Sequence, residues 1–116
     1  MLLSHAKIEL YFHLVIVTKY RSKRLTKEAL EIIRDCTAVI STAGNYGINL
    51  VESNIDQEDP SHVHLVLQMT KIQGVDISKF ITSLKSMTSR KLKPISQEWQ
   101  GWSASYYLAT VSKEGG

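Results

Sequence analysis

The segment Ser61-His62-Val63-His64-Leu65-Val66-Leu67 holds the residues of this chain best suited to chemistry. In an extended strand, successive side chains point to opposite faces. His62 and His64 then share one face, and Val63, Leu65 and Leu67 the other. Two imidazoles one strand-step apart can hold one divalent cation, each through a single nitrogen, with the tautomer set by outer contacts. Surface histidines making only local hydrogen bonds show the same spacing, so the pattern leaves both readings open. Glu52 and Asp56 precede the pair on an expected hairpin and are candidates for an oxygen ligand, the face of Glu52 depending on strand register.

Charge is uneven along the chain. Of 116 residues, 14 are Lys or Arg and 11 Asp or Glu, a net charge of +3. Lys19, Arg21, Lys23, Arg24 and Lys27 form one basic cluster, and Lys79, Lys85, Arg90, Lys91 and Lys93 another, neither interrupted by an acid. The middle carries Glu28, Glu31, Asp35, Glu52, Asp56, Glu58 and Asp59 against Arg34. Two separated clusters can converge into one phosphate-binding surface, or remain ordinary solvated faces.

The elements that must position these groups follow from hydrophobic periodicity. Residues 8–18 predict a strand, with Phe12, Leu14 and Ile16 on one face and His13, Val15 and Val17 on the other. Thr26 is the expected N-cap of a helix whose apolar stripe is Ala29, Ile32, Ile33, Cys36, Ile40 and Ala43, ended by Gly44 or Gly47. Ile48–Ile55 and His62–Met69 predict two further strands around the polar turn Gln57–Ser61. A second helix from Asp76 or Ser78 to Leu92 puts Ile77, Phe80, Ile81, Leu84 and Met87 on one face, with Pro94 beyond its end. Trp99–Trp102 reads as a loop, and Ser103–Val111 as the last strand.

This order, β-α-β-β-α-β, predicts a ferredoxin-like α+β fold: a four-stranded antiparallel sheet with two helices on one face. The first and third strands are central, which brings His13 near the pair on the open face. Trp99 and Trp102 either stack on unpaired bases or pack their loop against the core. Cys36, on the apolar stripe, is expected to be packing rather than a nucleophile.

At 43% hydrophobic and 22% charged, the chain has the composition of a single globular domain rather than a disordered one. It has no apolar run of the ~18 residues a membrane helix needs. A start without a basic-then-apolar leader, together with one cysteine, leads to the expectation of a cytoplasmic protein with no membrane partner.

These pieces resemble the small single-tyrosine transposases of insertion sequences, members of the HUH (His-hydrophobe-His) endonuclease superfamily. The resemblance is carried by Tyr11-Phe12-His13-Leu14-Val15, Thr18-Lys19-Tyr20-Arg21 and Ser61-His62-Val63-His64-Leu65, then by Phe80-Ile81-Thr82-Ser83-Leu84-Lys85-Ser86 and Tyr106-Tyr107-Leu108-Ala109-Thr110-Val111. It implies cleavage and rejoining of single-stranded, hairpin-forming DNA. It also implies that His62 and His64 hold a divalent metal, Mg2+ or Mn2+, that polarises the scissile phosphate. Attack by a tyrosine hydroxyl gives a phosphotyrosine link that keeps the bond energy for rejoining. Magnesium prefers oxygen ligands, so modest affinity and competition from manganese or zinc are expected.

Lys19, Arg21 and Lys85 fall where such transposases carry basic residues, and with Arg90 they are the candidates for DNA contacts. Relatives have an acidic residue just before the pair; here it is Ser61, which with His13 becomes the candidate for outer support. Relatives act as homodimers and carry the nucleophilic tyrosine on a helix after the fourth strand. This chain reads Lys113-Glu114-Gly115-Gly116 there, so the expectation is one domain, 1–116, truncated at its C-terminus and lacking the nucleophile. Tyr106 and Tyr107 match the fourth strand, and Tyr11, Tyr20 and Tyr46 match no nucleophile. The competing reading is a non-catalytic nucleic-acid-binding module on the same fold; a small interaction protein would leave the histidines idle.

Overall fold

The structure is a computed structural model that describes residues 10–43, 46–70 and 76–112. Its elements are β1 (Leu10–Thr18), α1 (Lys27–Ala43), β2 (Ile48–Ile55), β3 (His62–Met69), α2 (Ile77–Leu92) and β4 (Trp102–Ser112). The sheet order is β2-β3-β1-β4 with every neighbouring pair antiparallel, as the ferredoxin-like reading requires. β2 and β3 keep the predicted bounds. The last strand starts one residue earlier than expected, at Trp102, and residues 8, 9 and Gly44 lie outside the described segments.

Strand alternation decides which side chains meet the helices. Phe12, Leu14 and Ile16 of β1 and Val63, Leu65 and Leu67 of β3 are buried together with Ile33, Cys36 and Ile40 of α1 and Phe80, Ile81 and Leu84 of α2. Each such side chain contributes roughly 1.5–3 kcal/mol by leaving water. Cys36 is therefore core packing, and burial raises its thiol pKa, the reverse of what a nucleophile needs. Both helices begin with a side-chain cap: Thr26 Oγ1 accepts from the Ala29 amide at 3.1 Å, and Asp76 Oδ1 from the Lys79 amide at 3.0 Å.

Two irregularities shape the open face. In β2 the pairing shifts between Leu50↔Leu67 and Glu52↔Val66, leaving Val51 as an exposed extra residue. This bulge turns Glu52 onto the histidine face, whereas unbroken alternation from buried Ile48 would aim it at the helices. Between β1 and β4 the register shifts from Ile16↔Tyr106 to Thr18↔Trp102. The Lys85 ammonium donates to the Ser103 carbonyl at this irregularity, at 2.7 Å, and lies 5.4 Å from the Tyr106 ring centre.

Candidate functional site

Cross-strand pairing assembles the open face in rows. His64 sits opposite Val15 on β1, which sits opposite Tyr107 on β4; His13 lies one step along, opposite Val66 and Ala109. Val15 is only 8% exposed although no helix among the described residues covers it, consistent with the flanking His64 and Tyr107 rings. The His13 and His64 rings stack with centroids 5.4 Å apart, and Tyr107 meets His13 edge-on at 6.1 Å. Beside them a groove of about 600 Å³ is lined by His13, His64, Glu52, Asn54, Asp56 and Gln57, among others.

Each imidazole of the pair has its Nδ1 occupied. His64 Nδ1 lies 3.2 Å from His13 Nε2. His62 Nδ1 lies 3.1 Å from Ser61 Oγ and 3.3 Å from Asp59 Oδ2. Of the two Nε2 atoms, that of His62 lies beside the Arg21 guanidinium at 3.4 Å. Among the described residues, no three His, Cys, Asp or Glu side chains converge into a metal-holding group by themselves. Glu52 and Asp56 line the groove with His64, and His62 is not among its lining residues.

Electrostatics favours neutral imidazole here. Partial burial lowers the pKa of His64, and the neighbouring His13 and His62 lower it further. Asp59 is held below its usual range, chiefly by the hydrogen bond from Ser61.

Of the first basic cluster, Arg21 reaches this face, whereas Arg24 pairs with Glu98 at 2.7 Å. Lys19–Arg21 forms a single turn in which Tyr20 (φ 61°) and Arg21 (φ 53°) are both left-handed, a conformation non-glycine residues adopt at a cost of ~1–3 kcal/mol each. Buried Thr18 holds the turn, its Oγ1 donating to the Ser22 carbonyl at 2.7 Å, while the Lys19 amide donates to the Gly101 carbonyl at 2.8 Å. The result puts Arg21 Nη2 3.4 Å from His62 Nε2. Nothing in the residue types of Lys19-Tyr20-Arg21 announces such a turn, since glycine or asparagine is its usual marker.

The second cluster lies elsewhere. Lys85 and Arg90 stand on α2, in the helical layer across the sheet from the imidazoles; Lys85 caps β4 carbonyls and Arg90 donates to Ser86 at 2.8 Å. The two clusters do not merge into one surface. Trp99 and Trp102 also turn toward the core, their indole nitrogens donating to Ser89 and Thr88 at 2.9 Å, which favours packing over base stacking. Among the described residues, no helix is long and apolar enough to cross a membrane. The missed residue is Asp59: it was legible only as one acid among several, because its approach to His62 depends on how the chain folds back at Pro60.

Comparison with known proteins agrees with this architecture. The profile of the family described as "Transposase IS200 like" matches residues 6–115. The crystal structure of a candidate transposase from Deinococcus radiodurans superposes with TM-score 0.70 at 29% identity, over 93% of this chain and 83% of that one. A REP-associated tyrosine transposase, solved bound to a REP hairpin, superposes with TM-score 0.62 at 14% identity; the match covers 94% of this chain and 59% of that one. No curated protein matches the sequence.

Proposed function

Because the chain belongs to the IS200-like transposase family, we propose that it acts on single-stranded, hairpin-forming DNA through the open face of its sheet, with His62 and His64 as ligands of a divalent metal. The observation that carries this reading is that His62 and His64 share the sheet face turned away from the described helices, each with its Nδ1 engaged and with Arg21 beside His62. A REP hairpin bound by a transposase of the same fold supports hairpin DNA as the partner class.

A bound Mg2+ or Mn2+ would neutralise charge developing on the scissile phosphate. The protein's own contribution is to position. Neutral His64 is oriented by His13, His62 is oriented from its Nδ1 side, and Arg21, now on His62 Nε2, would turn to a phosphate oxygen when a metal takes that nitrogen. Lys19, beside the exposed Tyr20 ring, and Arg90, on the helical layer, are assigned to the DNA backbone; Lys85 serves β4 first. The attacking hydroxyl is assigned to none of this chain's tyrosines. A second copy is the expected partner, with the β4 edge offering unpaired backbone groups.

The alternative, a binding module without chemistry, draws on the lack of a third ligand among the described residues. Calorimetric titration with Mn2+, alone and with a labelled hairpin, separates the two. Metal binding lost in His62→Ala and His64→Ala supports the metal-dependent reading. Hairpin binding indifferent to both metal and histidines supports the module, and equal preference for duplex DNA counts against both.

A further inference from the structure

We infer that Asp59, facing His62 both directly and through Ser61, is the positioning residue that sets the His62 tautomer, placing the proton on Nδ1 and the lone pair on Nε2. The argument is one of proton accounting. Ser61 Oγ lies 2.8 Å from Asp59 Oδ1 and 3.1 Å from His62 Nδ1, and the hydroxyl has a single proton. An ionised carboxylate only accepts, so that proton goes to Asp59. Ser61 then presents a lone pair to His62, and Nδ1 must donate. Asp59 Oδ2, 3.3 Å from the same nitrogen, asks for the same proton.

The opposite side of the ring gives an independent check. Arg21 Nη2, 3.4 Å from His62 Nε2, can only donate, so Nε2 must carry a lone pair. Both sides of the imidazole therefore select one tautomer. It is the one whose Nε2 lone pair can bind a cation once the Arg21 guanidinium gives way, and the arrangement is the carboxylate–histidine support common behind metal sites.

Local backbone structure explains why an acid three positions before His62 can do this. Asp56 Oδ1 accepts from the amides of Glu58 and Asp59 at 3.0 and 3.3 Å, forming a side-chain-closed turn. Pro60 then folds the chain back, the Ser61 amide donating to the Asp59 carbonyl at 2.7 Å. The carbonyls of Pro60 and Ser61 are bonded in turn by the amides of Leu25 and Thr18, at 3.0 and 2.9 Å. Ser61 is fully buried, which keeps water from competing for its hydroxyl. Asp59 thereby does the work that an acid at position 61 would do by direct contact.

This deepens the proposed function and rests on it only for the metal; the tautomer itself is a property of the metal-free protein. The test is nitrogen–proton correlation NMR of histidine-labelled, metal-free protein at mildly alkaline pH, paired with Mn2+ calorimetry on the same samples. Wild type should show His62 as Nδ1–H. In Asp59→Ala the freed Ser61 hydroxyl turns its proton to Nδ1, so His62 should switch to Nε2–H and Mn2+ affinity should fall about 10–100-fold. In Ser61→Ala the Asp59 carboxylate still faces Nδ1, so the wild-type tautomer should persist; should Asp59→Ala fail to fold, Asp59→Asn, whose amide can donate to Nδ1, should give the same switch. An Nε2–H tautomer in wild type, or an unchanged tautomer in a folded Asp59→Ala protein, overturns the inference. A wild-type protein that shows the Nδ1–H tautomer and its switch yet binds no Mn2+ upholds this inference and overturns the metal reading alone.

Discussion

Along β3, Val63, Leu65 and Leu67 are completely buried under the helices, whereas His62, His64 and Val66, which alternate with them, remain partly open. β1 repeats the contrast, with Phe12, Leu14 and Ile16 in the core and His13 on the other side. The same two strands thus carry the core and the candidate site on opposite faces. A change of one side chain on the inner face is a stability event, and a change one residue along falls on the candidate site. The exception is instructive: Val15 points outward yet is covered, so the histidine face has a small apolar floor of its own.

The sharpest way to break this comparison is Leu65→Ala set against His64→Ala. The first should cost about 2–5 kcal/mol in urea unfolding, through lost burial and the cavity left behind. The second should leave stability within about 1 kcal/mol of wild type, as expected for a partly open side chain away from the core. Equal losses would erase the division between the faces. Mn2+ affinity should invert the ranking. His64→Ala and His62→Ala should each lose more than the roughly 10–100-fold that follows removal of an outer contact.

The two basic clusters sharpen the contrast further. Arg21→Ala should weaken hairpin binding and lower the salt slope by about 1 while leaving the unfolding midpoint unchanged, since a rim guanidinium is being removed. Lys85→Ala should instead cost about 1 kcal/mol of stability, through the orphaned carbonyl of Ser103, with the salt slope preserved. Exchanged outcomes would mean that the DNA lies over α2 rather than over the histidines.

The smallest expected effect is on pH dependence. His64 has a pKa lowered from 6.5 in the folded protein, so below that value the unfolded chain binds more protons. Stability should be fully present above pH 6.5 and decline as pH falls toward the folded pKa. In metal-free His64→Gln that part of the decline should disappear, as read from urea midpoints across the range. A decline equally steep in the variant would place the titrating group elsewhere.

Much of this was legible in the chain. The alternation in His62–Leu67 and Phe12–Ile16 specifies which face is buried, because an extended backbone leaves only two directions for a side chain. The helical stripes and the N-caps Thr26 and Asp76 are similarly local. What escaped was set by long-range pairing. The face of Glu52 turned on one extra residue in β2, and the remoteness of Lys85 and Arg90 on α2 lying across the sheet from the imidazoles. The left-handed Tyr20 and Arg21 are held by hydrogen bonds from Thr18 and to Gly101, which no local propensity of those two residues would indicate.

By itself, then, the sequence determined the order of elements, the inward and outward sets on each strand, and the pairing of two imidazoles on one face. These depend on periodicity, which is a property of the backbone. The tertiary structure alone decided which atoms those imidazoles meet: His13 behind His64, Asp59 and Ser61 behind one nitrogen of His62, and Arg21 before the other. Hydrogen bonds act over about 3 Å, and only the closing of the sheet and its turns brings residues distant along the chain within that reach.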